Sequence, residues 1–306
     1  RGGALAAEGR DVTHAAGAVE TVVLPWVQEL VQFDPTSPGC RGGGGAMCRG
    51  NTRVARSAVV RGGAYQIHAT APVAAYQFNP LRYEVGLGAA QINSFTNDAS
   101  LLIARRALTH RYVVVTAPNW SPTPSLLLGG FIAVVAVASE STSVTVRMAP
   151  FAGVSAAVDG VVRHDNLMPG DVALIVGDAP GDLSGSMIEA SGPVAVFVGH
   201  DCTYVPTGRP ACDHLEEQLF PLEALGREYV VSRLRDREGV THLTRVVAPL
   251  NNTVVRFEPS VSPTVQLNAR EAYDVQSNVS FRINSSGPVA VAQFMLGQGD
   301  TREVSG

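Results

Sequence analysis

Residues 186–200 read "SMIEASGPVAVFVGH", and residues 281–296 read "FRINSSGPVAVAQFML". In each, apolar and polar residues alternate, a small-residue turn ends in proline, and a run of Val, Ala and Phe follows. Alternation marks a strand with one buried face, and the run after proline marks a strand buried on both. Pro193 and Pro288 stand at strand starts, where the missing N–H is tolerated. A third stretch, "YQIHATAPVAAYQF" at 65–78, has the same outline around Pro72. Two alternating runs joined by so short a turn predict a hairpin, written three times.

Other strings recur with it. "HRYVVVTAP" (110–118) matches "REYVVSRL" (227–234), and "STSVTVRM" (141–148) matches "NNTVVRFE" (251–258), with Val144 and Val146 on one face. "PGDVALIV" (169–176) matches "NAREAYDV" (268–275) and, more loosely, "RGGAYQI" (61–67). Complete copies of the unit cover roughly 111–200 and 228–296, and a diverged, partial copy covers about 54–78. Short strands separated by turn-rich connections predict an all-β fold of two or three repeated antiparallel β-sandwich-like units. The expected domains are 1–110, 111–215 and 216–306. Two short connecting helices are expected. "PWVQELVQF" (25–33) starts with proline, and "CDHLEEQLF" (212–220) offers Asp213 as N-cap with Glu216 three residues on.

Composition narrows the function classes. Of 306 residues 45% are hydrophobic and 16% charged, which suits a folded chain rather than a disordered one. A net charge of −4 leaves no electrostatic footprint for nucleic acid, and no partner of that kind is expected. All 23 basic residues are arginine, so lysine chemistry is excluded. No run of about 18 apolar residues spans a membrane. Opening at Arg1 without a leader, the chain reads as a piece of a longer protein.

The four cysteines form two local pairs, Cys40/Cys48 and Cys202/Cys212. Even, closely spaced pairs suit two disulfides and an oxidising compartment, the other reading being reduced thiols. Cys40 and Cys48 flank a glycine-rich loop (39–50) with no strand before it or helix after it, which argues against a phosphate cradle. Asn119, Asn251, Asn278 and Asn284 each open a glycosylation sequon.

One cluster holds most of the reactive side chains: His200, Asp201, Cys202, Cys212, Asp213, His214, Glu216 and Glu217. His-x-Cys followed by Cys-x-His has the ligand types of a zinc site, although one-residue spacings are uncommon for zinc. A disulfide would remove both thiolates and leave His200, Asp213, His214 and Glu217 as a structural polar network holding a loop shut. Acid–base catalysis is the third reading. No nucleophile elbow is present: "DLSGS" (182–186) lacks the leading glycine and reads as a turn. Asn97 and Asp98 in "TNDAS" (96–100) suit an Asx-turn in a loop. Trp26 and Trp120 are core or loop anchors before they are partner contacts. The expectation is no enzyme, no metal and no cofactor.

The same region carries a family resemblance. Gly199-His200-x-Cys202, Cys212-x-His214, Glu217-Gln218-Leu219-x-Pro221 and Gly226-x-x-Tyr229-Val230-Val231 resemble the signature of the IgG Fc-binding protein N-terminal domain family. "APVAAYQFNPL" (71–81), "NDASLLI" (97–103) and "AVAQFMLGQ" (290–298) are most similar to its secreted bacterial members, and the likeness spans about 19–299. The resemblance implies an extracellular or cell-surface adhesion or matrix module that recognises a protein or glycan partner. A structural subunit of a filament, coat or matrix, formed by self-association, is the alternative. A metal-dependent enzyme built on 199–221 is the third.

Overall fold

The computed structural model describes residues 11–13, 15, 17–25, 27, 29–30, 57–87, 90–123, 126–205, 213–233 and 241–295. Among them the chain is all-β. The first strands are β1 (Ala58–Val60), β2 (Tyr76–Leu87), β3 (Ala90–Leu101), β4 (Arg111–Val113), β5 (Trp120–Thr123) and β6 (Leu126–Leu128). Then come β7 (Gly130–Ala136), β8 (Thr142–Arg147), β9 (Val161–Leu167), β10 (Val172–Val176), β11 (Met187–Ala190), β12 (Val194–Thr203) and β13 (Asp213–Gln218). The last are β14 (Glu228–Val231), β15 (His242–Val247), β16 (Thr253–Glu258), β17 (Val265–Leu267), β18 (Ala272–Ser277), β19 (Phe281–Ser285) and β20 (Ala290–Phe294).

A five-stranded sheet, β1-β10-β7-β12-β13, and a four-stranded sheet, β4-β11-β8-β9, meet over one core. Ile132, Val134 and Ala136 from β7 pack there with Val144 and Val146 from β8 and Ile188 from β11. Two aligned apolar faces closed on each other remove both from water. Further along, β14-β19-β16-β17 and β18-β15-β20 enclose a second core of Val246, Val255, Phe257, Val275, Phe281 and Ile283. With β1 and β13 set aside, the second pair of sheets repeats the strand order of the first.

The recurrence extends to single hydrogen bonds. The Tyr112 hydroxyl donates to the Val194 carbonyl (2.6 Å), and the Tyr229 hydroxyl to that of Val289 (2.7 Å). Ser191 Oγ accepts the Ser143 N–H, and Ser286 Oγ the Val254 N–H, both at 2.9 Å. Gly170 and Arg270 both sit at positive φ, +86° and +75°. These equivalences correct two string matches by one residue: Asp171 answers Glu271, and Val144 answers Val255. The strings cannot show this, because a slip of one keeps the apolar count while turning every side chain over.

The two halves of each Gly-Pro-Val-Ala motif do not form a hairpin. β11 lies in the four-stranded sheet and β12 in the five-stranded one, so Ser191–Pro193 crosses from layer to layer, and β19 and β20 are divided in the same way. Alternation reveals which face of a strand is buried, not which strand is its neighbour. Around Pro72 the motif is not realised. Residues 61–75 contain no strand, and Ile67 is 61% exposed where the matching Ile188 and Ile283 are fully buried. Among the described residues the only strand before Pro72, β1, is already paired with β10, which leaves this segment no layer to join.

The helix expected at 212–220 is also replaced. Asp213–Gln218 is strand β13, laid antiparallel along β12, so Asp213 is not an N-cap. The open edge of β12 supplies backbone partners for the whole segment, and tertiary pairing overrides the helix preference of Glu-Glu-Gln. The described residues of 25–33 show only a turn, with the Leu30 N–H on the Val27 carbonyl (2.9 Å). Two single 3-10 turns, Arg105–Ala107 and Leu222–Ala224, are the helical segments among the described residues. "TNDAS" lies on β3 rather than in a loop.

The two double layers are joined by buried charge as well as apolar contact. Val113 and Val115 share a cluster with Val247 and Ala290. Beside it Arg245, 6% exposed, donates to Asp182 (2.7 Å), to both oxygens of Asp274 (2.7 and 2.8 Å), and to the Thr116 carbonyl (2.6 Å). Burial works against that charge, but the two carboxylates outweigh it and raise its pKa.

Candidate functional site

β13 is the element that assembles the reactive cluster. Its inner edge follows β12, with Gly199 opposite Glu216 and His200 opposite Leu215, and the register shifts between His200 and Thr203. Gly199 has to be glycine: a Cβ there would lie 2.0 Å from the Leu215 carbonyl and 2.6 Å from the Phe131 ring. The outer edge of β13 is met by side chains of β3 rather than by a backbone ladder. Asp98 Oδ2 accepts the Glu216 N–H (2.6 Å), and the Ser100 hydroxyl lies 2.8 and 2.9 Å from the two carboxyl oxygens of Glu216. Gln218 Oε1 accepts the Ile103 N–H (2.8 Å). Short side chains thus stand in for the missing strand partner and tie the β2–β3 hairpin to the sheet.

The electrostatics follow from burial. Glu216 is 4% exposed, and burial pushes its carboxyl up to about 7, with Ser100 opposing and Glu217 and Asp98 adding to the rise. Asp213 and Glu217 are also raised, by burial first and then by Asp98. His200 is fully buried, and its pKa is lowered to about 3 by desolvation and the charge of His214. Its Nδ1 accepts the Cys202 N–H (3.2 Å), so Nε2 carries the proton; the nearby Leu128 and Pro118 carbonyls favour the charged ring, yet neither completes a hydrogen bond with Nε2. A carboxyl near neutrality is a mark of acid–base sites. Here, however, Glu216 is almost fully buried and its oxygens are turned to Ser100, an arrangement that joins two elements.

Of the residues singled out from sequence, His200, Asp213, His214 and Glu217 all stand on β12 and β13. Glu216 and Glu217 point to opposite faces, one buried and one exposed. No group of three His, Cys, Asp or Glu side chains among the described residues is arranged to hold a metal ion. Cys202 is buried and carries no free thiol, while Cys40, Cys48 and Cys212 lie outside the described residues, as does Trp26. The Trp120 ring lies against Tyr204, with centroids 4.0 Å apart and the planes tilted by 40°. Asn119 is committed inside the fold: its amide donates to the Ala179 carbonyl (2.7 Å) and its oxygen accepts the Gly130 N–H (2.9 Å), which leaves its sequon no amide for a glycan. Sequence reading missed Ser100 and Asp98 as partners of Glu216. It also missed Arg245, whose one signal was a lone charge inside the apolar run "HLTRVV".

Residues 98–306 match the IgGFc binding protein family. The human IgGFc-binding protein is 29% identical over 220 residues, which is 72% of this chain and 4% of that protein. The chain therefore spans a small part of the curated relative it matches. No solved structure matches it. With more than half its length inside the family's match, this chain belongs to the IgGFc binding protein family.

Proposed function

We propose that the chain is an extracellular or cell-surface adhesion module, without catalytic activity, that binds a protein partner. It is read as two copies of one β-sandwich unit, at about 111–215 and 216–306, on an N-terminal part at 1–110, and as a relative of the secreted bacterial members of the family. Disulfides Cys202–Cys212 and Cys40–Cys48 complete that reading. Family membership supports a binding role, and one observation carries it further. Tyr65, Ile67, Val73, Tyr76 and Phe78, all within residues 65–78, are large apolar or aromatic side chains each 44–66% exposed. So many large exposed apolar and aromatic side chains in one short segment of a folded protein support an interaction surface, and aromatic anchors of this kind suit a protein partner.

The test is what the intact protein associates with in its native source, with immunoglobulin Fc as the first purified partner to titrate. A single foreign protein, held by the parent and released by Val73→Asp with Phe78→Asp, is the expected result. The structural-subunit reading is favoured by the edges of β18 and β20, which are unpaired among the described residues. A ladder of self-associated particles would replace the module reading with it.

A further inference from the structure

β10 and β18 hold the same place in the two double layers, but among the described residues only β10 is covered. β1 lies antiparallel along it, with Val60 opposite Val172 and Ala58 opposite Leu174. Both ends of that seam are fastened. Ser57 Oγ accepts the Val176 N–H (3.1 Å) at one end. At the other, the Asp171 carboxylate accepts Arg61 Nη1 (2.5 Å) and the Gly62 N–H (2.8 Å), besides the Met168 N–H (2.8 Å). The apolar-x-apolar strand is therefore held by hydrogen bonds and its register is set by the arginine and glycine that follow it.

Glu271 reproduces the Asp171 position. It follows a residue at positive φ, its N–H goes to the Asn268 carbonyl (3.1 Å) as that of Asp171 goes to Met168 (2.9 Å), and its Oε2 accepts the Asn268 N–H (2.7 Å). It is exposed, and among the described residues no arginine reaches it. Among the described residues β18 itself pairs only with β15. Unlike the other uncovered strands, it keeps the carboxylate that serves as an anchor in the covered copy. The Arg270 carbonyl lies against Gly185, so an arriving chain has no room for the return turn that Ala64 makes on Gly170 and leaves the edge at Glu271.

We propose that β18 accepts an extended segment of a partner protein, of the pattern apolar-x-apolar-Arg-Gly, added antiparallel with its arginine on Glu271. This rests on the binding-module reading and names the chemistry of one partner. Main-chain hydrogen bonds supply the affinity and the charge pair the register, as in other strand-addition complexes. A labelled peptide copying residues 57–64 of this chain is the probe, titrated into the intact chain and followed by amide exchange. Saturable binding is expected, with protection gained at 272–277. It should weaken about tenfold or more with Glu271→Gln, and likewise with Arg61→Ala in the peptide, the loss of one charge-assisted anchor. No binding, binding indifferent to Glu271→Gln, or protection at β20 or at 172–176 through displacement of β1 would overturn the proposal. Self-association through β18 that shuts the peptide out would overturn it too. If the peptide fails while a partner still depends on Val73 and Phe78, strand addition falls and the module reading stands.

Discussion

The regions 111–203 and 228–294 use one strand order, yet corresponding strands read differently. β10 is "VALIV" and buried throughout, whereas β18 is "AYDVQS" and buries only alternate residues. β12 is buried at nearly every position from Val194 to His200, while β20 is half-buried after Ala290. The difference lies in what surrounds them: β1 and β13 flank the first sheet, and nothing described flanks the second. A central strand and an edge strand of the same topology therefore carry different patterns, and the pattern reports neighbours as much as fold.

If the two regions are welded mainly through Arg245, removing its partners has the largest effect. The double variant Asp182→Ala, Asp274→Ala leaves a buried guanidinium with, among the described residues, only the Thr116 carbonyl and Ser184 hydroxyl as acceptors. A loss of about 3–5 kcal/mol in urea unfolding is expected, because an unpaired buried charge costs far more than the pair contributes. The transition should also split, with 228–294, the region without flanking strands among the described residues, melting first. A single transition with unchanged midpoint would mean that the apolar contact of Val113 and Val115 with Val247 holds the halves together unaided.

A smaller effect, confined to the first region, is set by pH. Glu216 sits near 7 in the fold against an ordinary 4.5, so the folded state holds its proton more tightly than the unfolded chain does. The stability this gives below pH 4.5 is lost as pH rises through 7. Glu217 and Asp98 add to the cost of its charge, and Glu216→Gln keeps the hydrogen bond to Ser100 without ionising. That variant should exceed the parent by about 2–3 kcal/mol at pH 8 and match it near pH 4. His200 works in the opposite sense: its pKa falls to about 3, so its contribution is present above 6.5 and is lost as pH falls towards 3. Urea titrations between pH 4 and 8 check both, and a Glu216→Gln advantage independent of pH would refute the buried-carboxylate account.

How much of this was legible beforehand depends on the kind of signal. The all-β class, the burial of Val144 and Val146, and the correspondence of Pro193 with Pro288 follow from periodicity and turn chemistry, which are local. Whether Ile188 and Val196 share a sheet is a long-range matter, and the same letters fit a hairpin or a crossing between layers. Asp213–Gln218 shows the other limit. Its helix-forming composition is real, but β12 offered an edge, and pairing prevailed. The cluster at 199–218 was found because His, Cys and Glu stand out by type. Its partners on β3 were not, because Asp98 and Ser100 are more than a hundred residues away and are ordinary turn formers.

The smallest expected effect tests the comparison most finely. Tyr112 and Tyr229 bridge the same two places: each hydroxyl donates to a carbonyl at the start of the post-proline segment, Val194 or Val289, and accepts an N–H from three residues before it, Thr109 at 3.3 Å or Gly226 at 2.8 Å. By distance alone Tyr229 makes the better pair of bonds. By burial Tyr112 has more at stake, since it is 0% exposed and water cannot replace the lost hydroxyl, whereas Tyr229 is only half-buried. An orphaned group away from water costs about 1–3 kcal/mol, and one that water can reach costs far less. Tyr112→Phe should therefore cost about 2 kcal/mol and Tyr229→Phe about 1 kcal/mol or less, both read from urea midpoints at constant slope. If Tyr229→Phe costs as much as Tyr112→Phe, bond geometry outranks enclosure, and the lower burial of Tyr229 has not loosened the second region at this joint.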